Sequence, residues 1–203
     1  MLLGIVSLTA VGVFAVIGPQ PENPIDDYLV RFAANKLANA ISVVIFTLIT
    51  ILLIPGFLAL YQVLKGFSRG IMLVATFFIG LAVAISFVTT IIPNISLFYI
   101  SDGYAAATTD AQRGWYVAAT VVVRANQSAA FLFGLIYSVV IFIASFVMRK
   151  GPFGKASAYL GFAGGLVGIL AAIPVLSSLF LIFFLLDAVW FLLVGWKVFS
   201  LSR

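Results

Sequence analysis

The sequence predicts an all-α, polytopic integral membrane protein folded as a six-transmembrane-helix bundle. Three observations predict it. Of the 203 residues, 64% are hydrophobic and only 8% are charged, whereas a soluble domain carries about 25% charged residues. So much apolar surface cannot be hidden inside a core of this size, which makes lipid the solvent. Apolar stretches close to the roughly 20 residues that a spanning helix needs recur at about residues 1–18, 37–64, 71–92, 128–148, 156–173 and 179–196. The basic residues fall into two groups that alternate along the chain as membrane topology demands.

The elements follow in order. Residues 1–18 are uncharged and just long enough to cross. They lack the basic start and small-residue cleavage site of a secretory signal, so a retained first span is expected. Pro19, Pro21 and Pro24 mark a loop. Residues 25–36 carry Ile25, Leu29, Phe32 and Ala33 on one side and Asp26, Asp27, Arg31 and Lys36 elsewhere, the pattern of a helix at the water–lipid boundary. The second span, 37–64, holds Pro55, which removes one backbone bond and kinks a helix. A short basic turn, 65–70, leads to the third span and Pro93-Asn94. Residues 95–127 are the longest polar stretch, and their alanine-rich pieces predict an outer, partly helical segment. The fourth span ends in a basic, glycine-containing turn at 149–155. The last two spans form a hairpin: a glycine-rich helix, a break at Pro174, Ser177 and Ser178, and a return helix with Asp187 in its middle.

Orientation rests on the two basic groups. Lys65, Arg69, Arg149, Lys150, Lys155, Lys197 and Arg203 have no acid beside them. Arg31, Lys36, Arg113 and Arg124 are accompanied by Glu22, Asp26, Asp27, Asp102 and Asp110. Six spans put the first group on one side, which the positive-inside rule makes the cytoplasm. The expectation is a multi-pass protein of the cell membrane with both termini cytoplasmic. Tyr99, Tyr104, Trp115 and Tyr116 would form an outer aromatic belt, and Tyr61, Tyr159 and Trp196 an inner one.

The fifth span carries overlapping rows of small residues, Ser157, Gly161 and Gly165 in one and Gly164, Gly168 and Ala172 in the other. Helices in lipid associate through such rows because bare backbones gain dispersion contacts at close approach. Packing within one subunit is the favoured role for Gly161, Gly164, Gly165 and Gly168; a homo-oligomer interface is the sharper alternative. Asp187 is the most informative single residue. A charge at mid-bilayer costs several kcal/mol, so such residues face the bundle interior and often mark function. Tyr137 and Ser138 lie at a similar depth, as do Thr47 and Thr50, and all four can donate a hydroxyl proton. Together they form the candidate intramembrane polar site, open to two roles: a structural tie or a working proton or ion site. Gln127, Gly134, Ser138 and Ser145 make a polar stripe on the fourth span, where serines commonly bond their own backbone at i−4. Arg124, Asn126 and Gln127 cluster at its outer end.

Catalysis is not expected. The chain has no His and no Cys, which removes the commonest general base, thiol nucleophile and metal ligands. No glycine-rich phosphate loop is present, and Asp26-Asp27 lacks the further acids of a metal-dependent diphosphate site. No cofactor and no metal are expected. The net charge of +5 is spread over helix ends, so the expected partner is the lipid bilayer rather than nucleic acid, with a second copy or other membrane subunits as protein partners.

Three stretches carry a resemblance. They are Phe32-Ala33-Ala34-Asn35 through Ala59-Leu60-Tyr61-Gln62-Val63-Leu64-Lys65, then Asp110-Ala111-Gln112-Arg113, and Gly154-Lys155-Ala156-Ser157-Ala158-Tyr159-Leu160-Gly161. In these the chain resembles a family of small multi-pass prokaryotic membrane proteins described only as a domain of unknown function. The resemblance implies a six-helix membrane protein and supplies no site residues. The function expected is a binding, assembly or accessory module in the membrane, with a small-solute or ion transporter around Asp187 and the fourth span as the alternative.

Overall fold

The computed structural model describes residues 25–176 and 178–201, and every regular element among them is helical. Helix α1 spans Ile25–Ala34, α2 Lys36–Ser86, α3 Ile92–Ala106, α4 Thr109–Met148, α5 Gly154–Ala171 and α6 Leu179–Leu201. A π-helical turn, Phe87–Ile91, joins α2 to α3, and a 3-10 turn, Pro174–Leu176, precedes α6. Among the described residues, four helices are long and apolar enough to cross a membrane: Lys36–Ala106, Thr109–Met148, Gly154–Ala171 and Leu179–Leu201.

That corrects the expected count of six. The first expected span, 1–18, lies outside the described residues. The second and third are limbs of one helical run interrupted only at Ser68, whose backbone is extended (φ −162°, ψ 83°). The expected basic turn at 65–70 is therefore helical apart from one residue, Ser68. An unpaired backbone group is expensive in lipid, which favours breaking as few helical bonds as possible at a reversal.

Ser68 does reverse the chain. Phe46 meets Phe133 of α4 edge-on at 6.4 Å, and Leu64 lies against Gly151 just beyond the end of α4. The first limb thus runs in the same direction as α4. In the second limb Ile71 and Val74 share a groove wall with Phe142 and Phe146, and Asn94 accepts a 3.1 Å hydrogen bond from Asn126 Nδ2. That limb runs opposite to α4. The two limbs meet again at the far end, where Lys36 pairs with Asp102.

The π turn has a local cause. Pro93 has no N–H to offer the carbonyl four residues back, and its ring crowds that carbonyl. The helix widens immediately before it, a common relief for such a conflict. Thr89 Oγ1 donates to Ile85 O at 2.7 Å within this stretch.

The polar segment 95–127 is more ordered than expected. It is the end of α3, a two-residue turn at Ala107 and Thr108 with extended backbones, and the first half of α4. No break separates it from the expected fourth span, since α4 runs unbroken for 40 residues. The α3–α4 hairpin closes where the Trp115 indole lies on the bare backbone of Gly103; a Cβ there would stand 2.5 Å from two ring carbons.

Two apolar cores result. The larger joins both limbs of α2 to the C-terminal half of α4, to α5 and to α6, around Leu60, Met72, Ile141, Met148 and Trp190. The smaller is a cap at the other end, of Ile25, Tyr28, Leu29 and Phe32 from α1 against Leu97, Ile100, Ala119 and Val123. The apolar face expected to meet lipid at the boundary is thus buried against protein. Asp26 and Asp27 sit in the first turn of α1 and Arg31 in its last, each where the helix dipole favours its charge. Tyr104 Oη donates to Asp26 Oδ1 at 2.8 Å and fastens the cap to α3.

Candidate intramembrane polar site

The site is built by α4 and α6, with α5 wedged beside both. The α5 glycines set the spacing. A Cβ on Gly165 would stand 2.8 Å from Phe142 Cβ and 2.9 Å from both Phe142 N and Ser138 O, so α5 and α4 touch at backbone distance. A Cβ on Gly168 would overlap the Ser138 hydroxyl and the Phe183 ring. Gly164 faces α6 across ordinary contact with Leu186 at 3.6 Å. Gly161, Gly164, Gly165 and Gly168 are all buried inside this one chain. Small residues on α5 and the serines of the α4 stripe therefore face each other and let the helices close.

Across that seam Tyr137 Oη donates to Asp187 Oδ2 at 2.8 Å. The pair is sealed from the surface, with Tyr137 4% and Asp187 5% exposed. Packing fixes the phenol: Phe133 stacks on it at 5.6 Å and Phe183 meets it edge-on at 5.8 Å. Asp187 lies on the buried face of α6 with Phe183, Trp190 and Val194, a set spaced by three and four residues.

The other expected members do not join. Ser138 Oγ donates to Gly134 O at 2.6 Å, Thr47 Oγ1 to Val43 O at 2.7 Å and Thr50 Oγ1 to Phe46 O at 2.8 Å. Each satisfies its hydroxyl on its own helix four residues back. Of the five candidates, Asp187 and Tyr137 come together through side chains, and Ser138 lies beside α5. Toward the cap Arg124 donates to Gln127 at 3.4 Å, and Asn126 ties α4 to Asn94.

Sequence reasoning missed Trp190 and gave Ser145 only as a stripe member. Trp190 Nε1, Ser145 Oγ, Ser86 Oγ and Asp187 Oδ1 are buried polar atoms without a hydrogen-bond partner. The signal available for Trp190 was its position three residues after Asp187, on the same helical face.

Chemically the site offers one carboxyl, one phenol and a second carboxyl oxygen with no partner. Among the described residues no three of His, Cys, Asp and Glu converge. Two grooves among the described residues indent the bundle. One, of about 390 Å³, lies between Gly56–Leu60 on α2 and Trp190–Phe199 on α6; the other, of about 560 Å³, lies between Gly70, Ile71 and Val74 and the Phe142–Phe146 stretch. Both are lined by apolar side chains, and Asp187 lines neither. Compared with known proteins, the chain matches no family model, no curated protein and no solved structure.

Proposed function

We propose that this chain is a membrane-embedded binding, assembly or accessory module and not an enzyme. The observation that carries the reading is the use of Asp187: its carboxyl is bonded to Tyr137 inside a closely packed seam, and neither groove reaches it. Its partners are the lipid bilayer and other membrane protein, whether a second copy or a different subunit. The two limbs about Ser68 each cross the bilayer, giving five crossings among the described residues; the further span expected at 1–18 lies outside them. The end that carries Lys65, Arg69, Arg149, Lys150 and Lys197 faces the cytoplasm, together with both termini. What supports this orientation is the separation of charge: these cations have no acid near them, whereas Asp26, Asp102 and Asp110 lie with the cap.

A second reading has one observation in its favour. Asp187 Oδ1 is buried and unpartnered, which suits a small-solute or ion transporter with a carboxyl at bilayer depth. One substitution separates the two. Asp187→Asn keeps an acceptor for the Tyr137 hydroxyl but cannot exchange a proton. The module reading expects wild-type chain in liposomes to pass ions and protons no faster than empty liposomes, and Asp187→Asn to keep its co-purifying lipids and proteins in mild detergent. A flux that the wild type carries and Asp187→Asn abolishes overturns it in favour of the transporter.

A further inference from the structure

Ser145 of α4 and Trp190 of α6 reach the same point on α5. A Cβ added to Gly161 would overlap the Ser145 hydroxyl and stand 2.5 Å from Trp190 Nε1. Both polar atoms therefore close over one stretch of bare backbone. Ser145 is fully buried and Trp190 is 1% exposed, and neither polar atom has a hydrogen-bond partner. Asp187 lies one turn earlier on the same buried face of α6, with Oδ1 also buried and unpartnered. Two orphan polar atoms thus meet over Gly161, and a third lies one helical turn away on the same face of α6; buried groups ordinarily find either protein or ordered water as partners.

Their chemistry selects the ligand. An indole N–H only donates, a carboxylate oxygen only accepts, and a hydroxyl does both. A cation would meet the indole hydrogen, and an anion would meet the carboxyl oxygen. Water accepts from one and donates to the other, and a buried water typically makes about three hydrogen bonds. We propose that the α4–α5–α6 junction holds a buried water site of one or two molecules. Trp190 Nε1–H donates to the water, Ser145 Oγ shares a bond with it, and the water donates onward to Asp187 Oδ1. Gly161 belongs to the site because any side chain there would displace the Ser145 hydroxyl and the Trp190 indole that converge on it. The water links α4 to α6 a second time, separately from the direct Tyr137–Asp187 bond, and gives the buried carboxyl its remaining partner.

The test reads water directly. The full chain with 15N-labelled indoles is placed in detergent micelles, and cross-relaxation between each indole N–H and water is measured. Single Trp115→Phe and Trp196→Phe variants assign the three signals. The Trp190 indole is expected to show a cross-peak to water with the sign of a long-lived bound molecule, although its ring is buried. A Trp190 signal without any water cross-peak, when exposed Trp196 shows one, overturns the proposal. A thermal-melting cycle of Ser145→Ala, Trp190→Phe and their double variant gives a second reading. The double variant is expected to melt no lower than the worse single one; independent, additive losses count against the site. Neither outcome depends on the Tyr137–Asp187 bond, which Tyr137→Phe tests alone.

Discussion

The Tyr137 hydroxyl and the Asp187 carboxyl meet at 2.8 Å inside the bundle, joining α4 to α6. Tyr137→Phe keeps the ring and removes the donor, leaving Asp187 Oδ2 buried without its partner. Stranding a buried polar group costs about 1–3 kcal/mol, more when the group is charged. Tyr137→Phe should therefore lower the melting temperature in detergent more than Asp187→Asn, which preserves an acceptor. Equal melting of wild type and Tyr137→Phe would show that the bond contributes nothing to stability.

The α5 glycines should differ sharply in their tolerance of a single methyl group. At Gly165 the methyl would press on backbone atoms of α4, Phe142 N and Ser138 O, which cannot swing away. Overpacking of this kind costs about 1–3 kcal/mol. At Gly164 the nearest atom is 3.6 Å away, and alanine is the better helix former by about 1 kcal/mol. Gly165→Ala should destabilise and Gly164→Ala should be neutral or stabilising. Melting curves with the opposite ranking would refute this assignment of faces.

The Ser68 reversal and the turn after α4 lie at one end of the bundle, since Gly151 rests against Leu64 and Phe67. The chain has no native cysteine, so single cysteines report cleanly. Ser68→Cys and Lys150→Cys should be protected from an impermeant thiol reagent in intact cells and react after lysis, whereas Arg113→Cys should react in both. Labelling of Ser68→Cys and Lys150→Cys from opposite sides would break the hairpin.

The cap should come loose at high pH. Burial pushes the Tyr28 phenol from its ordinary 10 up to about 12. Because the folded chain holds this proton more tightly, the stabilisation is complete below about pH 10 and disappears as pH rises through about 12. An ultraviolet phenolate titration should show a late step that coincides with loss of α1 docking. Tyr28→Phe should reduce the amplitude of that late step by one tyrosine. A wild-type titration in which every tyrosine ionises near its ordinary range would contradict the burial of Tyr28 in the cap.

Much of this was legible because lipid imposes simple rules. Long apolar runs gave the helices, and the acid at position 187 gave a depth at which Tyr137 could be matched. What escaped depended on angle and on single residues. Two glycines and two cations in 65–70 read as a short turn, but they did not show that only Ser68 would leave the helix. Polar composition hid the continuity of α4 across Gln127, because a helix rising out of the bilayer needs no apolar face on every side. Hydroxyl count overstated the site: Ser138, Thr47 and Thr50 serve their own helices. The approach of Ser145 to Trp190 over Gly161 joins three helices, and no spacing along one of them encodes it.

Helix α4 contributes to both apolar cores, Ala119 and Val123 to the cap and Tyr137 through Met148 to the bundle, and no proline interrupts it. At 1.5 Å per residue its 40 residues form a strut of about 60 Å, twice the hydrocarbon thickness. Gripped at both heights, the rod ties the placement of the cap to the placement of Tyr137 in the α4–α6 seam.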